Sequence, residues 1–299
     1  MTLFGNNPNI DEKINPFYSS ESESQQLFNQ IIERGETFLD PLRFCLYKPG
    51  KNESIGNFGS LGNGIQGFWI GINDRDMRFF ARKSLRYVLS QKPVDVLELE
   101  FGAIYADITF QGLCNAAFEH PIDRNDFYGH MLRALKHFRE SRDIQSPEAR
   151  FRHLAAIAED LAKIDENERI SGNELRNRIA KISSRGWELY KSINNSHPRM
   201  LSMSKRSYQL IAQRYKDLGW ADEQEAMLVI KDLWSNVRNP LSHSLETFQT
   251  LERDTSKDLA NMEKVVITMI NGWYAADEVK ELYDKPAHEI LLDEAVQGG

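Results

Sequence analysis

The sequence predicts a mainly α protein, with an antiparallel helical bundle in the C-terminal half and a mixed α+β domain before it. Apolar residues recur every three or four positions through most of residues 122–284, which is the spacing of one helix face. Shorter runs before residue 121 alternate apolar and polar residues instead, which is typical of strands. With 299 residues, of which 41% are hydrophobic, the chain is long enough to bury a substantial core.

The N-terminal part predicts a flexible arm followed by the mixed domain. Residues 1–19 are rich in Asn, Pro and Ser, which favours a loose arm over a packed element. The mixed domain covers 20–121 and begins with an amphipathic helix that ends at Asp40 and Pro41. Residues 103–120 are apolar and fit a strand or a helix. Three further runs are predicted as strands: 42–47, 67–72 and 93–101.

A cluster of cations follows the second predicted strand. Asp74 can cap a helix that reaches to about Val88 and has an apolar inner face. In a chain of net charge −7, the cations on its other side either form a solvated face with salt bridges or bind phosphate. That phosphate would belong to an RNA backbone or to a nucleotide signal. These basic residues are Arg75, Arg78, Arg82, Lys83 and Arg86.

The C-terminal half predicts successive amphipathic helices with short connections, which favours an antiparallel bundle. Ser146 before Pro147 is a helix start, and Ser171 with Glu174 forms a capping box. The predicted helices cover 123–141, 146–161, 171–193, 204–218, 222–237 and 245–282, and a loose tail follows over 285–299.

Composition restricts the class of protein. The negative net charge argues against a protein that coats nucleic acid through bulk positive charge. The chain has no N-terminal secretory signal and no apolar run near the ~18 residues of a membrane helix, so we expect a cytoplasmic protein with no membrane partner. The two cysteines, Cys45 and Cys114, cannot make a disulfide framework and have apolar surroundings, so we expect reduced thiols. Neither has a Cys or His at ligand spacing and the seven histidines are scattered, so we expect no metal and no cofactor.

An Arg-Asn pair followed by a histidine lies at the end of the predicted helix over 222–237. Arg238 and Asn239 precede Pro240, which we expect to break the helix, and His243 follows. On an unbroken helix, side chains five residues apart point about 140° away from each other. We therefore expect the break to let Arg238 and His243 converge.

A similar Arg-Asn…His arrangement occurs a second time, so context has to distinguish the two. Arg124 is followed by an asparagine and, six residues on, by His130. These residues start a helix, with no helix breaker between them and no long helices on both sides. Arg238 has a strong amphipathic helix before it and the longest predicted helix after it. The context favours Arg238 and His243.

The run Arg238-Asn-Pro-Leu-Ser-His243, with the helices on both sides of it, resembles the Arg-Asn…His motif of the HEPN superfamily. The resemblance covers about residues 146–282 and implies a HEPN-like four-helix domain. It also implies a metal-independent endoribonuclease that cleaves single-stranded RNA, commonly as a homodimer whose two motifs face each other. Proteins of this kind serve in antiviral defence, as CRISPR accessory enzymes and in toxin–antitoxin pairs.

The resemblance assigns a role to each polar residue of the motif. The RNA 2′-hydroxyl attacks the adjacent phosphate, so DNA is excluded. His243 moves a proton as general acid or base. Arg238 holds the non-bridging phosphate oxygens with its planar fork, and Asn239 orients the histidine or bonds the phosphate. Ser242 contributes a polar contact to the RNA.

Two other functions fit the sequence. The C-terminal helices can form a non-catalytic interaction or dimerisation module, and Arg238 and His243 would then lie in separate buried salt bridges. Alternatively, the N-terminal domain senses a nucleotide or holds a protein partner, and a pocket beneath Arg78 and Arg82 would favour that function.

Overall fold

The computed structural model describes residues 30, 33–37, 40, 41, 44, 67–73, 76–81, 108–119, 127–142, 144–164, 168–196, 205–244 and 246–292. This part of the chain is mainly helical, as the sequence predicts. It divides into two compact units. One holds the described residues up to 37 with 67–73 and 76–81, and the other holds 40, 41, 44 and the residues from 108 onward. Within these ranges no helix combines the length and apolar character needed to cross a bilayer.

The first unit contains a two-stranded antiparallel hairpin. Strand β1 is Gly67–Asn73 and strand β2 is Asp76–Ala81, with Gly67 opposite Ala81 at one end of the ladder. The register shifts between Gly71 and Asn73, next to the connection. Strand β1 covers the strand predicted over 67–72, and residues 33–37 are helical within the helix predicted before Asp40.

The helix predicted after Asp74 is wrong over 76–81, where the chain forms β2. A short apolar run fits the helix period and the strand period equally well, and here the neighbouring strand β1 supplies a pairing partner. Since successive residues of a strand alternate between its two faces, Arg78 does not belong to one continuous basic helix face. The other four cations, Arg75, Arg82, Lys83 and Arg86, lie outside the described residues.

Three further predictions concern segments that are mostly or entirely outside the described residues. The arm over 1–19 and the strand over 93–101 are entirely outside them. In the run 42–47, which alternates as a strand does, Phe44 is helical and only 2% exposed. The strand predicted there is therefore wrong at Phe44. The Phe44 ring packs edge to face on the ring of Phe138, with centroids 6.0 Å apart, and six alternating residues are a weaker signal than such a tertiary contact.

The second unit is built from helices. A π-helical turn, Trp234–Arg238, joins α6 to α7. In chain order the helices are α1 (Ile108–Glu119), α2 (Phe127–Glu140), α3 (Pro147–Leu161), α4 (Gly172–Ser196), α5 (Lys205–Leu218), α6 (Glu223–Leu233), α7 (Asn239–His243), α8 (Thr255–Tyr283) and α9 (Ala287–Leu292). Helix α1 shows that the ambiguous stretch 103–120 is helical over 108–119, and α1 packs against α2 and α8.

Three predicted helix starts are confirmed by side-chain caps. Ser146 Oγ accepts a hydrogen bond from the N–H three residues on, at 3.2 Å, and Pro147 opens α3. Ser171 Oγ accepts from the N–H of Glu174 at 3.3 Å. Asp222 caps α6 in the same way at 2.8 Å. A short polar side chain just before an apolar repeat therefore predicted the start of each of these three helices correctly.

Helix α8 begins ten residues later than the apolar repeat predicts, at Thr255 instead of residue 245. Before it, Thr247 and Thr250 exchange hydrogen bonds between their hydroxyls and backbone N–H groups at 2.9 and 3.2 Å. Such local bonds compete with the helical ladder. Asp254 then caps α8 by accepting from Lys257 N at 3.1 Å.

The predicted tail over 285–299 contains a helix. Residues 287–292 form α9, in which Ile290 and Leu291 are buried. Helix α9 contacts α4 and α8. Burial of its two apolar side chains holds this segment against the other helices, so the prediction of a loose tail is wrong over 287–292. Residues 293–299 lie outside the described part of the chain.

Helix α8 is the centre of the second unit. It contacts α1, α2, α3, α4, α5, α6 and α9. Every residue from Val265 to Ala276 is buried, which is expected of a helix that other elements surround. Its most extensive neighbour is α4, which likewise buries Ile179, Ile182 and Trp187 completely.

Helices α4 and α8 cross at two glycines. A Cβ atom built on Gly186 would lie 2.6 Å from the Cα of Gly272, and one on Gly272 would lie 2.8 Å from the Cα of Gly186. Next to this crossing, the indole N–H of Trp220 donates to Ser183 Oγ at 2.9 Å. The Ser183 hydroxyl in turn bonds Thr268 Oγ1, which donates to a backbone oxygen of α8. Because neither glycine has a side chain, the two helices lie close enough for these buried hydroxyl groups to hydrogen-bond.

We predict that Gly272→Ala destabilises the protein by about 1–3 kcal/mol, because the new Cβ meets backbone atoms that cannot rotate away. This outweighs the gain in helix propensity of roughly 1 kcal/mol. Gly172→Ala is the matched control, because nothing lies within 4 Å of its Cβ position. It should leave stability unchanged or raise it. Urea unfolding of both variants is the measurement, and equal midpoints would contradict the close crossing.

Candidate functional site

The segment Trp234–His243, which we call the motif segment, does not break at Pro240 as predicted. The backbone continues from α6 through the π turn into α7, and Arg238 and Asn239 both have helical angles. In the π turn the N–H of Asn239 donates to Trp234 O, five residues back instead of four. Pro240 then falls in the first turn of α7, where its missing N–H costs no hydrogen bond. The widened turn accommodates the proline that would otherwise end the helix.

The three motif side chains nevertheless meet. Arg238 Nη1 donates to His243 Nε2 at 3.2 Å and to Asn239 Oδ1 at 3.3 Å. Since a guanidinium only donates, His243 Nε2 is the acceptor and carries no hydrogen in this arrangement. His243 and Ser242 are exposed, whereas Arg238 is about a quarter exposed, at 26% of its side chain. The length of the arginine side chain, and not a helix break, brings the two residues together.

Glu159 of α3 holds Arg238 from the other side. Arg238 Nε donates to Glu159 Oε1 at 2.9 Å and Nη2 donates to Oε2 at 3.2 Å, which is a two-pronged pairing. The indole N–H of the buried Trp234 also donates to Oε1, at 3.1 Å. Glu159 therefore satisfies two residues of the motif segment at once.

This pairing determines which edge of Arg238 can meet another anion. Its Nε and Nη2 atoms face the Glu159 carboxylate, and Nη1 faces Asn239 and His243. The Nε–Nη2 edge cannot hold a phosphate while Glu159 occupies it. An incoming anion would approach the Nη1 end, beside His243 and the exposed end of α7. A two-pronged contact with a phosphate, as the sequence predicts, would be confined to the Nη1 and Nη2 end.

One face of α3 supports the whole motif segment. Arg152 Nη1 donates to the backbone oxygen of Leu241 in α7 at 2.9 Å. Glu148 Oε1 accepts from the N–H of Phe248, just after the segment, at 3.3 Å. Residues 148, 152 and 159 are four and eleven positions apart, so a helix places them on nearly the same side. The Glu148 pKa is lowered by these hydrogen bonds, beginning with the one from its own backbone N–H.

Arg253 fixes the connection between the motif segment and α8. Its guanidinium donates to Asp232 of α6 at 2.6 Å and to the buried Asp258 of α8 at 2.8 Å. The hydrogen bond from Arg253 holds the pKa of Asp232 below its ordinary value, and the two carboxylates raise the pKa of Arg253. The loop after His243 is thus tied to both helices that flank the motif segment.

The other residues predicted for the site belong to the first unit or lie outside the described residues. Arg78 lies in β2 of the other unit, and Arg75, Arg82, Lys83 and Arg86 are outside the described residues. Of the second Arg-Asn…His motif, Arg124 is outside them too. His130 lies in α2, with its Nε2 3.8 Å from Asp160 Oδ2.

Two groups of polar residues were not found from the sequence. Glu159 is 79 residues from Arg238, and nothing local indicates that α3 packs on the motif segment. The second group is His137, Glu140 and His153, whose ligand atoms all lie within 4.8 Å of one another. Here His137 and Glu140 have helical i,i+3 spacing, which is a local signal. His153 belongs to a different helix, and the sequence alone does not show its proximity.

No protein-family model, curated protein or solved structure matches the chain.

We predict that Glu159→Ala lowers the unfolding free energy by about 1–3 kcal/mol, because the buried Trp234 N–H and the Arg238 guanidinium lose their shared acceptor. Glu159→Gln should cost less, since it keeps an oxygen at the same place. Glu188→Ala is the control: its carboxylate is 59% exposed and pairs with Lys191 one turn on, so the change should stay within about 0.5 kcal/mol. A Glu159→Ala variant as stable as this control would show that the pairing contributes nothing.

Proposed function

We propose that the protein is a metal-independent endoribonuclease that cleaves single-stranded RNA at the motif segment, as a member of the HEPN superfamily. The observation that carries the proposal is the contact of Arg238 Nη1 with His243 Nε2 at 3.2 Å, with Asn239 Oδ1 bonded to the same nitrogen at 3.3 Å. A phosphate-binding cation and a proton-transfer group thereby lie side by side at an exposed helix end.

The reaction needs only groups that the RNA and this site supply. The 2′-hydroxyl oxygen attacks the adjacent phosphorus, and the bond from phosphorus to the 5′-oxygen of the next nucleotide breaks. The products are a 2′,3′-cyclic phosphate and a free 5′-hydroxyl. One proton leaves the 2′-hydroxyl and one reaches the 5′-oxygen, so a single imidazole can act as base or as acid in this exchange. DNA lacks the attacking hydroxyl and is not cleaved.

Arg238 couples phosphate binding to the availability of His243. Without substrate, the Nη1 hydrogen occupies the lone pair of His243 Nε2. When a non-bridging phosphate oxygen takes that hydrogen, the lone pair becomes free to accept a proton. Glu159 keeps the guanidinium in position during this exchange, because it holds the opposite edge through two bonds. Asn239 orients Nη1, and Ser242, which is exposed, would contact the RNA.

We further propose that two copies associate with their motif segments facing each other. A bare arginine on each copy would repel the other, but Glu159 compensates the charge of Arg238 within each chain. Ser242→Cys should therefore form a disulfide-linked dimer under mild oxidation, because residue 242 is exposed beside His243. Ser196→Cys, at the exposed end of α4, is the control and should remain monomeric on a non-reducing gel. Sedimentation of the unmodified chain as a monomer at high concentration would overturn the arrangement.

A non-catalytic interaction module is the second candidate, and one observation favours it. The Nε–Nη2 edge of Arg238 is occupied by Glu159, as in a purely structural ion pair. For such a module we expected Arg238 and His243 in separate buried salt bridges. In the described residues Arg238 instead contacts His243, and His243 is exposed.

We predict that His243→Ala lowers cleavage of a single-stranded RNA in EDTA by about 100-fold or more, which is the usual contribution of a general acid or base. Its thermal midpoint should stay near that of the unmodified protein, because the side chain is exposed. Arg238→Lys should lose about 100-fold or more as well, since a single ammonium nitrogen cannot make the two-pronged pairing with Glu159 while a second nitrogen meets the phosphate. Release of a 2′,3′-cyclic phosphate end is the readout.

His130→Ala is the matched control, because it removes the histidine of the second Arg-Asn…His motif. It should cleave RNA at the unmodified rate. If the unmodified protein does not cleave RNA, or if His243→Ala is fully active, the ribonuclease proposal fails. Inactivity of the unmodified protein together with dimerisation through the motif segment would support the interaction module.

A further inference from the structure

His137 and Glu140 of α2 and His153 of α3 form a cluster of metal-ligating side chains away from the motif residues. One ligand atom from each residue lies within 4.8 Å of the others. His137 Nδ1 is 3.1 Å from Glu140 Oε2, and His153 Nε2 is 3.1 Å from the backbone oxygen of His137. The two imidazole rings meet edge to face with centroids 5.7 Å apart. All three side chains therefore turn toward one place between α2 and α3.

We infer that these three residues form a binding site for a divalent first-row transition metal, with zinc as the ion that fits best. Two imidazoles and one carboxylate are ligands that zinc binds in proteins, and three protein ligands leave a coordination position for water. This site is separate from the motif segment, because the proposed ribonuclease chemistry does not use these three residues. The inference is independent of the proposed function.

The geometry requires only small side-chain movements. Ligand atoms around one zinc ion at bond lengths near 2.1 Å are about 3.4 Å apart in a tetrahedron, so separations of up to 4.8 Å have to close by about 1.4 Å at most. The side chains of His137 and Glu140 are 50% and 41% exposed, which leaves them free to rotate. The His137–Glu140 pair has i,i+3 spacing, so both atoms can reach an ion without a change of the helix backbone.

Local charge is compatible with a cation at this place. Arg139 lies between His137 and Glu140 in sequence, but its Nη1 donates to both carboxylate oxygens of Asp40, at 3.0 and 2.8 Å. Asp40 is only 4% exposed, so this arginine is committed to a buried partner. The Glu140 carboxylate remains beside the two imidazoles to offset the charge of the ion.

A metal at this site would join α2 to α3. These helices are linked by a short connection over 141–146, and α3 is the helix that supports the motif segment through Arg152 and Glu159. An ion bound to the folded chain and not to the unfolded one stabilises the fold. We therefore assign the site a structural effect, namely fastening α2 to α3.

The experiment is a calorimetric titration of the full untagged chain with zinc chloride, together with thermal unfolding with and without zinc. One zinc ion should bind per chain. At a zinc concentration about a hundredfold above Kd, the thermal midpoint should rise by about 5–10 °C. His137→Ala, His153→Ala and Glu140→Gln should each weaken binding by at least about tenfold, because loss of a ligand costs no less than loss of an outer-shell partner.

His288→Ala is the matched control, since His288 lies in α9, outside the cluster, and should leave zinc affinity unchanged. His137→Gln keeps a polar side chain at a half-exposed position, so its thermal midpoint without zinc should equal that of the unmodified chain. With that midpoint unchanged, loss of zinc binding in this variant does not result from unfolding. Zinc binding that survives the His153→Ala change, or an unmodified chain that binds no more tightly than a variant lacking all three residues, would overturn the site. Ribonuclease activity in EDTA remains a separate readout.

Discussion

The close crossing of α4 and α8 is the constraint on which the rest of the helical unit depends. Side chains at Gly186 or Gly272 would hold the two backbones apart, since a Cβ on either glycine falls within 3 Å of the other helix. Because the helices approach so closely, α8 can be buried on every side from Val265 to Ala276. The buried hydroxyls of Ser183 and Thr268 also depend on this approach, since each is the other's partner. The crossing thus fixes the position of the central helix, against which α3 and α6 then pack.

Helix α3 transmits that arrangement to the motif segment. Its buried face, with Phe151 and Leu154 fully buried, packs on α8. Arg150 pairs with Glu263, a carboxylate of α8 that is only 3% exposed. A neighbouring face of the same helix carries Glu159 to Arg238 and Trp234. Helix α3 therefore connects the core to the motif arginine. A shift of α3 against α8 would also move Glu159 and with it Arg238.

Periodicity and capping predicted the helices where the decisive interactions are local. Ser146, Ser171 and Asp222 cap helices from within four residues, so the sequence alone located those starts. It did not locate the π turn, because Pro240 disfavours a normal helix and the sequence does not show that a wider turn removes the conflict. It did not find Glu159 either. That residue is 79 positions from Arg238 and becomes a partner only through packing of α3. Contacts of this kind depend on the tertiary fold.

Glu159 also changes what the motif arginine can do. A guanidinium has five N–H groups, and four of those of Arg238 already have acceptors: two on Glu159, one on Asn239 and one on His243. The acceptors on Asn239 and His243 are neutral, so an anionic phosphate oxygen would replace either of them at Nη1 more readily than it would replace the Glu159 carboxylate. The Glu159 carboxylate is itself an anion and holds Arg238 through two hydrogen bonds, so a phosphate would not displace it. In the ribonuclease proposed above, a phosphate oxygen that takes the Nη1 hydrogen from His243 would free the imidazole for proton transfer.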